Sequence, residues 1–396
     1  MKKLLLFLIF MLPLGVFVGC TPASGKPDGA AATGGETTKT PPPTEQETEP
    51  SGDKPEDAPS LYKSYADEFM IGVALPDGVL AEWNKYGGVI TQNFNSITCE
   101  NEMKPDFILD RTATVADVEG NYTSPKVKFS APSRAVKCAV ENGMKMRLHT
   151  LVWHAQTPAW FFTEDYTDDG ELVSREVMLA RMESYIRSVL EYYGENYPGL
   201  IYAVDVVNEA FDGGDGDGNG VRMKNNKWYE TIGPDYVYWA FYYARKYAPE
   251  GARLFYNDYA CMWKVDMILG NLKKAKDEGL IDGIGMQSHL SVGDPVPLFC
   301  DAIKRFAAAG YEVQLTELDV GIKGDTEANF KAQGKFYREL MTEVVGLRRA
   351  GVDITSVTVW GLSDELTWRR GEFPLLLDGE LGIKPAYEGF LAASEE

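Results

Sequence analysis

The sequence predicts an α/β fold: a (β/α)8 TIM barrel in a single domain, preceded by a disordered tether. Three observations carry that expectation. Eight short β-like runs alternate with longer helical patterns, polar and aromatic residues gather at the C-terminal ends of the runs, and no second compositional block follows the tether. At 396 residues the chain exceeds one average domain but not one barrel. Its 44% hydrophobic and 25% charged fractions are those of a globular protein. A formal charge of −20 argues against a nucleic-acid partner, because phosphate neutralisation needs clustered Lys and Arg.

Residues 1–20, MKKLLLFLIFMLPLGVFVGC, place two lysines before an apolar run that ends in Gly19-Cys20. This is a secretory signal, too short and wrongly flanked for a spanning helix. Val18-Gly19-Cys20 resembles a bacterial lipobox, with Phe17 where Leu is usual, so Cys20 is expected to be lipidated and to become the mature N-terminus. Residues 21–60 are rich in Pro, Thr, Gly, Ala and Glu, with three Lys against eight Asp plus Glu. Such a stretch buries too little apolar surface to offset chain entropy and reads as a disordered linker. The expectation is an exported protein, anchored to the membrane by lipid and facing the extracytoplasmic side. Residues 61–396 keep about −17 of the charge, which suits a neutral polymer ligand.

From Leu61 the β-like runs are Phe69–Leu75, Phe94–Glu100, Lys145–Trp153, Ile201–Glu209, Arg253–Tyr259, Gly283–His289, Val313–Val320 and Ser356–Leu362. Between them, Arg175–Tyr193, Tyr236–Tyr247 and Phe330–Ala350 repeat apolar residues at three-to-four spacing. A barrel of this kind carries its chemistry at the C-terminal strand ends. There stand Glu100, Asn101 and Lys104; His149, Trp153, His154 and Gln156; Asn208 and Glu209; Asn257, Asp258 and Tyr259; Gln287 and His289; Glu317 and Asp319; and Trp360. All three histidines of the chain fall on this rim.

Glu209 and Glu317 end the fourth and seventh runs, on nearly opposite sides of a barrel. Two carboxylates facing a sugar-sized cleft are the minimal equipment for glycoside hydrolysis. One must be protonated and the other ionised, so their environments should separate their pKa values. A hydrogen bond from His289 would keep Glu317 charged and aimed, with Asp319 orienting the imidazole.

The segments FNSITCENEMKP, RLHTLVWHAQTPAWF, VDVVNEAF, LFYNDY, IGMQSHL, LTELDV and VWGLSDELTWR resemble glycoside hydrolase family 10, the endo-β-1,4-xylanases, in order from about Leu61 to Phe390. The resemblance implies a (β/α)8 barrel, a retaining mechanism, and no cofactor or metal. It makes Glu209 the general acid/base and Glu317 the nucleophile of a double displacement. Asn208 matches the residue that bonds the 2-hydroxyl of the attacked sugar. Glu100, Asn101, Lys104, His149 and Gln156 match the cluster for sugars on the non-reducing side, with Trp153 under the ring. Gln287 and His289 flank the nucleophile, Trp360 and Trp368 cover the cleaved sugar, and Tyr259 faces the leaving-group side. His154 reads as a buried, hydrogen-bonded structural residue. The partners implied are xylan and xylooligosaccharides, bound by a monomer.

Two departures stand out: Cys99 where the family often has Pro, and Pro105 where an aromatic is common. In the loop after Glu209, positions 215–220 fit the first half of a calcium loop, but the twelfth position is Asn226 rather than Glu. A flexible acidic loop beside the leaving-group subsites is therefore expected. Cys99, Cys138, Cys261 and Cys300 are expected as free, buried thiols. Two other readings remain at this point: another β-glycanase or an aryl-β-xylosidase-like activity on the same barrel, and a non-catalytic surface glycan-binding lipoprotein. The second would require loss of a catalytic carboxylate, and both are present.

Overall fold

The computed structural model describes residue 55 and residues 57–395. The signal segment, Cys20 and nearly all of the 21–60 linker lie outside the described residues. The last linker residues touch the domain: Tyr387 Oη donates to the Pro59 carbonyl at 2.9 Å and Gln92 Nε2 to that of Ala58 at 3.3 Å.

Nine strands form the sheet: β1 Met70–Leu75, β2 Ser96–Cys99, β3 Lys145–Trp153, β4 Ile201–Asn208, β5 Arg253–Asp258, β6 Gly283–Met286, β7 His289–Ser291, β8 Glu312–Gly321 and β9 Ile354–Val359. Every pairing among them is parallel; β1 joins β9 and β6 joins β8, so the sheet closes into a barrel. Strands of a parallel barrel are covered on both faces and read as nearly continuous apolar runs, as in the MIGVAL of β1. The helices that cover them are α1 Trp83–Asn93, α2 Ser133–Glu141, α3 Arg175–Asn196, α4 Tyr236–Tyr247, α5 Cys261–Asp277, α6 Val296–Ala308, α7 Glu327–Arg349 and α8 Pro385–Ala392. Side chains fix where the two longest begin. Ser174 accepts from Val177 N at the start of α3, and Thr326 from Asn329 N at the start of α7.

The sixth β-like run is broken into β6 and β7. Ser288 sits in the left-handed region at φ 66°, with its Oγ donating to the Met286 carbonyl at 2.7 Å. Alternation alone carries no trace of such a kink, which turns His289 toward the barrel mouth. Register shifts do similar work on other staves. An extra residue enters β3 between His149 and Val152, and another enters β8 between Leu315 and Leu318. Bulges re-aim side chains where they occur, and here they flank His149 and Glu317.

The barrel interior is partly charged. Arg147, 1% exposed, donates through Nε to Asp205 Oδ2 at 2.9 Å and through Nη1 to Gln314 Oε1 at 2.5 Å, and its guanidinium lies 4.7 Å from the Phe255 ring centre. A second Arg147–Asp205 contact makes the pair bidentate. Gly285 is required beside it: a Cβ there would fall 2.4 Å from Asn257 Oδ1 and 3.0 Å from Arg147 Nη2. The four cysteines Cys99, Cys138, Cys261 and Cys300 are free and buried. Among the described residues, no helix is long and apolar enough to cross a membrane.

Candidate active site

The C-terminal strand ends surround a cleft of about 530 Å³, lined by Glu100, Asn101, Lys104, His149, Trp153, Gln156, Asn208, Glu209, Tyr259, Ala260, Gln287, His289, Glu317, Trp360 and Trp368. The residues singled out from the sequence as catalytic or sugar-binding thus meet in one place. Asp319, fully buried, stands behind them.

Glu317 leaves β8 within the bulge. Its Oε2 lies 3.1 Å from His289 Nε2, and its Oε1 accepts from Asn257 Nδ2 at 2.7 Å. His289 Nδ1 lies 3.0 Å from Asp319 Oδ2. With a carboxylate at each ring nitrogen, the imidazole is protonated and donates twice. Burial alone would lower the His289 pKa, but the hydrogen bonds and charges of Asp319 and Glu317 push it up to about 10. Burial likewise raises the Glu317 carboxyl, and the His289 hydrogen bond, the imidazole charges and Asn257 outweigh it, holding the group below its ordinary value. Asp319 is also fastened from outside, by Arg369 Nη1 on Oδ1 at 2.5 Å and by Trp368 Nε1 on Oδ2 at 3.1 Å.

Glu209 follows the last residue of β4 and adopts φ 55°. A non-glycine residue in the left-handed region costs on the order of 1 kcal/mol and marks a position the surroundings dictate. Gln287 Nε2 donates to its Oε1 at 2.9 Å, and Trp153 Nε1 to its Oε2 at 3.2 Å. The Asn208 amide lies 2.9 Å from Asn257 Nδ2 and 3.3 Å from Gln287 Nε2. A chain of amides therefore joins the two glutamates: Glu209, Gln287, Asn208, Asn257, Glu317.

On the β2–β3 flank, Lys104 Nζ donates to Asn101 Oδ1 at 3.1 Å and to Gln156 Oε1 at 2.9 Å, and lies 5.0 Å from the Trp153 ring centre. Burial lowers the Lys104 pKa against the carboxylates Glu317, Glu100, Glu209 and Glu102. Burial raises that of Glu100. His149 Nδ1 is 3.0 Å from Asp205 Oδ2, so the interior ion pair orients a cleft residue. Trp360 meets the His149 ring edge-on at 5.4 Å, and Trp368 meets His289 at 4.9 Å.

On the opposite flank, Tyr259 Oη donates to Asp212 Oδ2 at 2.7 Å and accepts from Arg222 Nη2 at 2.8 Å. Arg222 also reaches the Glu209 carbonyl at 3.2 Å. The acidic loop that starts at Asp212 is tied to itself rather than open. Asp212 Oδ1 accepts from the Gly214 and Asp215 amides, and Asp217 Oδ1 from those of Asn219 and Val221. Asn226, the twelfth position of the calcium-like pattern, instead caps the helix Lys227–Ile232 by accepting from Trp228 N and Tyr229 N.

His154 departs from the expectation of a hydrogen-bonded structural residue. It is half-buried, and its Nδ1 is buried without a hydrogen-bond partner among the described residues. Burial and the nearby charge of Arg222 push its pKa down to about 4, so the ring is neutral and needs no counter-charge. Sequence reasoning placed Asn257 on the rim by its position near a strand end but gave it no role. It missed Arg222, Arg369, Arg147 and Asp205, because each acts through partners far away in the chain.

Residues 60–393 match the sequence model of glycosyl hydrolase family 10. Endo-1,4-beta-xylanase B of Butyrivibrio fibrisolvens is 39% identical over 349 residues, covering 85% of this chain and 53% of that protein. The chain thus spans about half the length of this relative, and 31% of endo-1,4-beta-xylanase A of Thermotoga maritima. Among solved structures, the CBM22-1–GH10 modules of a Clostridium thermocellum endo-1,4-beta-D-xylanase, complexed with xylohexaose, superpose with a TM-score of 0.77 at 33% identity, covering 85% of this chain and 67% of that one. A mutant of the intracellular xylanase of Thermoanaerobacterium saccharolyticum, complexed with xylotriose, gives 0.74 at 35%, covering 84% and 98%.

Proposed function

The chain belongs to glycosyl hydrolase family 10, and on that premise we propose that it is an endo-β-1,4-xylanase. It cuts internal β-1,4-xylosidic bonds by a retaining double displacement. The supporting observation is the contrast between the two bridged carboxylates: Glu317 is held ionised by a doubly donating His289, while the hydrogen bonds to the Glu209 carboxylate among the described residues come from the neutral donors Gln287 and Trp153.

Glu317 attacks the anomeric carbon while Glu209 gives its proton to the leaving oxygen. The sugar becomes covalently bound to Glu317, and the cut chain departs. Water then enters, Glu209 takes its proton, and the hydroxyl adds to the anomeric carbon, restoring the configuration and freeing Glu317. Asn208 bonds the 2-hydroxyl of the attacked sugar, a contact that tightens in the transition state. Lys104, Asn101, Gln156, Glu100 and His149 hold the non-reducing side over Trp153. Asp319 is a positioning residue that acts through His289. Trp360, only 7% exposed, and Trp368 close on the sugar where glucose carries a hydroxymethyl group that xylose lacks. The resulting clash is worth about 1–3 kcal/mol against glucan. Relatives crystallised with xylohexaose and xylotriose support the substrate class.

Incubating the purified chain with xylan and with soluble cellulose tests the reading. Mixed xylooligosaccharides from xylan and little product from cellulose are expected; comparable release from cellulose would overturn it. The N-terminal pattern supports export and lipid anchoring through Cys20. A Cys20→Ala protein recovered with membranes as fully as the parent would remove the anchor.

A further inference from the structure

We infer that Trp263 is an aromatic platform for one further xylosyl unit, beyond Tyr259 on the leaving-group side of the cleft; this rests on the xylanase reading above. At 66% exposure Trp263 is the most exposed large apolar side chain among the described residues, and the next, Trp368 at 55%, already walls the cleft. A lone exposed apolar residue needs no explanation. Position, rigidity and surroundings distinguish this one.

Helix α5 starts directly after Tyr259 and Ala260, both cleft-lining, and Trp263 N donates to the Ala260 carbonyl at 2.9 Å. That first turn is pinned to the cleft floor. Lys264 Nζ donates to Asp258 Oδ1 at 2.7 Å and to the Phe211 carbonyl at 3.1 Å while lying 3.6 Å from the Tyr259 ring centre. Cys261 Sγ donates to the Asp258 carbonyl at 3.1 Å. Trp263, Met267 and Asn271 follow one another at four-residue spacing and share a helix face. Asn271 Nδ2 donates to the Asn219 carbonyl at 2.9 Å, and a Cβ on Gly220 would meet Met267 Sδ at 2.6 Å. That face therefore borders the acidic loop, with Trp263 on the turn nearest the cleft.

The surroundings select the occupant. Asp212 and Asp215 of the loop and Asp266 of α5 are each paired with a cation, Arg222, Lys224 or Arg305, so the neighbourhood is polar and charge-balanced, which suits a neutral polysaccharide better than a charged ligand. A pyranose ring offers a flat C–H face to the indole and hydroxyls to the carboxylates. Continuity with the cleft commits the site to the same chain that is being cut, downstream of the scissile bond.

The test uses the full chain with reducing-end-labelled xylohexaose and a nitrophenyl xylobioside, whose leaving group is too short to reach the platform. In Trp263→Ala the ratio of kcat/KM on xylohexaose to that on the aryl substrate should fall about 3- to 10-fold. Cuts that leave three or more units on the labelled side should become rarer. Trp263→Phe should recover most of both, and Tyr242→Ala, an exposed tyrosine on α4, should change neither. A parental ratio and cut distribution in Trp263→Ala would overturn the inference. A parent protein that cuts neither substrate would instead overturn the xylanase reading, and the platform with it.

Discussion

Replacing His289 by Asn probes the charge balance at Glu317, the nucleophile we propose. His289 is the cation between two buried carboxylates, 3.1 Å from Glu317 and 3.0 Å from Asp319. Asparagine is neutral and too short to serve both. Glu317 would keep Asn257 on Oε1 at 2.7 Å but lose its charge-assisted donor on Oε2. A hydrogen bond of that kind is worth about 1.5–3 kcal/mol, or about a 10- to 150-fold fall in kcat/KM. The sign of the pH effect follows from the same balance. Burial raises the Glu317 pKa and His289 opposes it; with the imidazole gone, the carboxyl protonates at higher pH. Activity that needs the ionised nucleophile is lost as pH falls through that pKa, so the acidic limb of kcat/KM should move upward. The assay is a pH series on an aryl xylobioside whose good leaving group makes little demand on Glu209. A lower rate with an unmoved acidic limb would refute the electrostatic role and leave His289 a packing residue.

The same imidazole contributes to stability in a definite pH window. Its folded pKa of about 10 lies above the ordinary 6.5, so its contribution is complete below 6.5 and is lost as pH rises through about 10. The difference in thermal midpoint between parent and His289→Asn should therefore shrink over that range; a constant difference would contradict the assignment. Arg369→Met removes the cation on Asp319 Oδ1 and should cost about 3 kcal/mol in urea unfolding, with a fall in kcat; a cost below 1 kcal/mol would show that the pair matters little. Gly285→Ala should cost about 1–3 kcal/mol and slow catalysis, because the methyl group displaces Asn257 from Glu317. Unchanged kcat in a folded variant would separate Asn257 from the nucleophile.

The barrel was legible because parallel strands buried on both faces write themselves as apolar runs, and β3 spans the residues expected, Lys145–Trp153. Strand ends carrying Glu, Asn, His and Trp gave away the rim for a related reason: polar groups on such strands are tolerated where they face a cleft or where, like Arg147 and Asp205, they pair with one another inside the barrel. What stayed hidden depends on single backbone angles or on distant partners. The kink at Ser288 that divides β6 from β7 leaves no mark in a continuous run. Arg369 reaches Asp319 across fifty positions, and Arg222 reaches Tyr259 across thirty-seven. The loop after Glu209 holds ties that its spacing does not reveal, since Asp212 and Asp217 accept from their own loop's amides and Asn226 is a helix cap.

The central claim, covalent catalysis by Glu317 with Glu209 as its proton partner, meets its most direct test in trapping the intermediate. The purified protein would be treated with a 2-deoxy-2-fluoro xylobioside bearing a fast leaving group, then digested and mapped by mass spectrometry. One fluoroxylobiosyl group on the peptide that contains Glu317, at a stoichiometry matching the loss of activity, is the expected result. Labelling of another residue, or turnover that releases the inverted anomer with no adduct, would contradict the account.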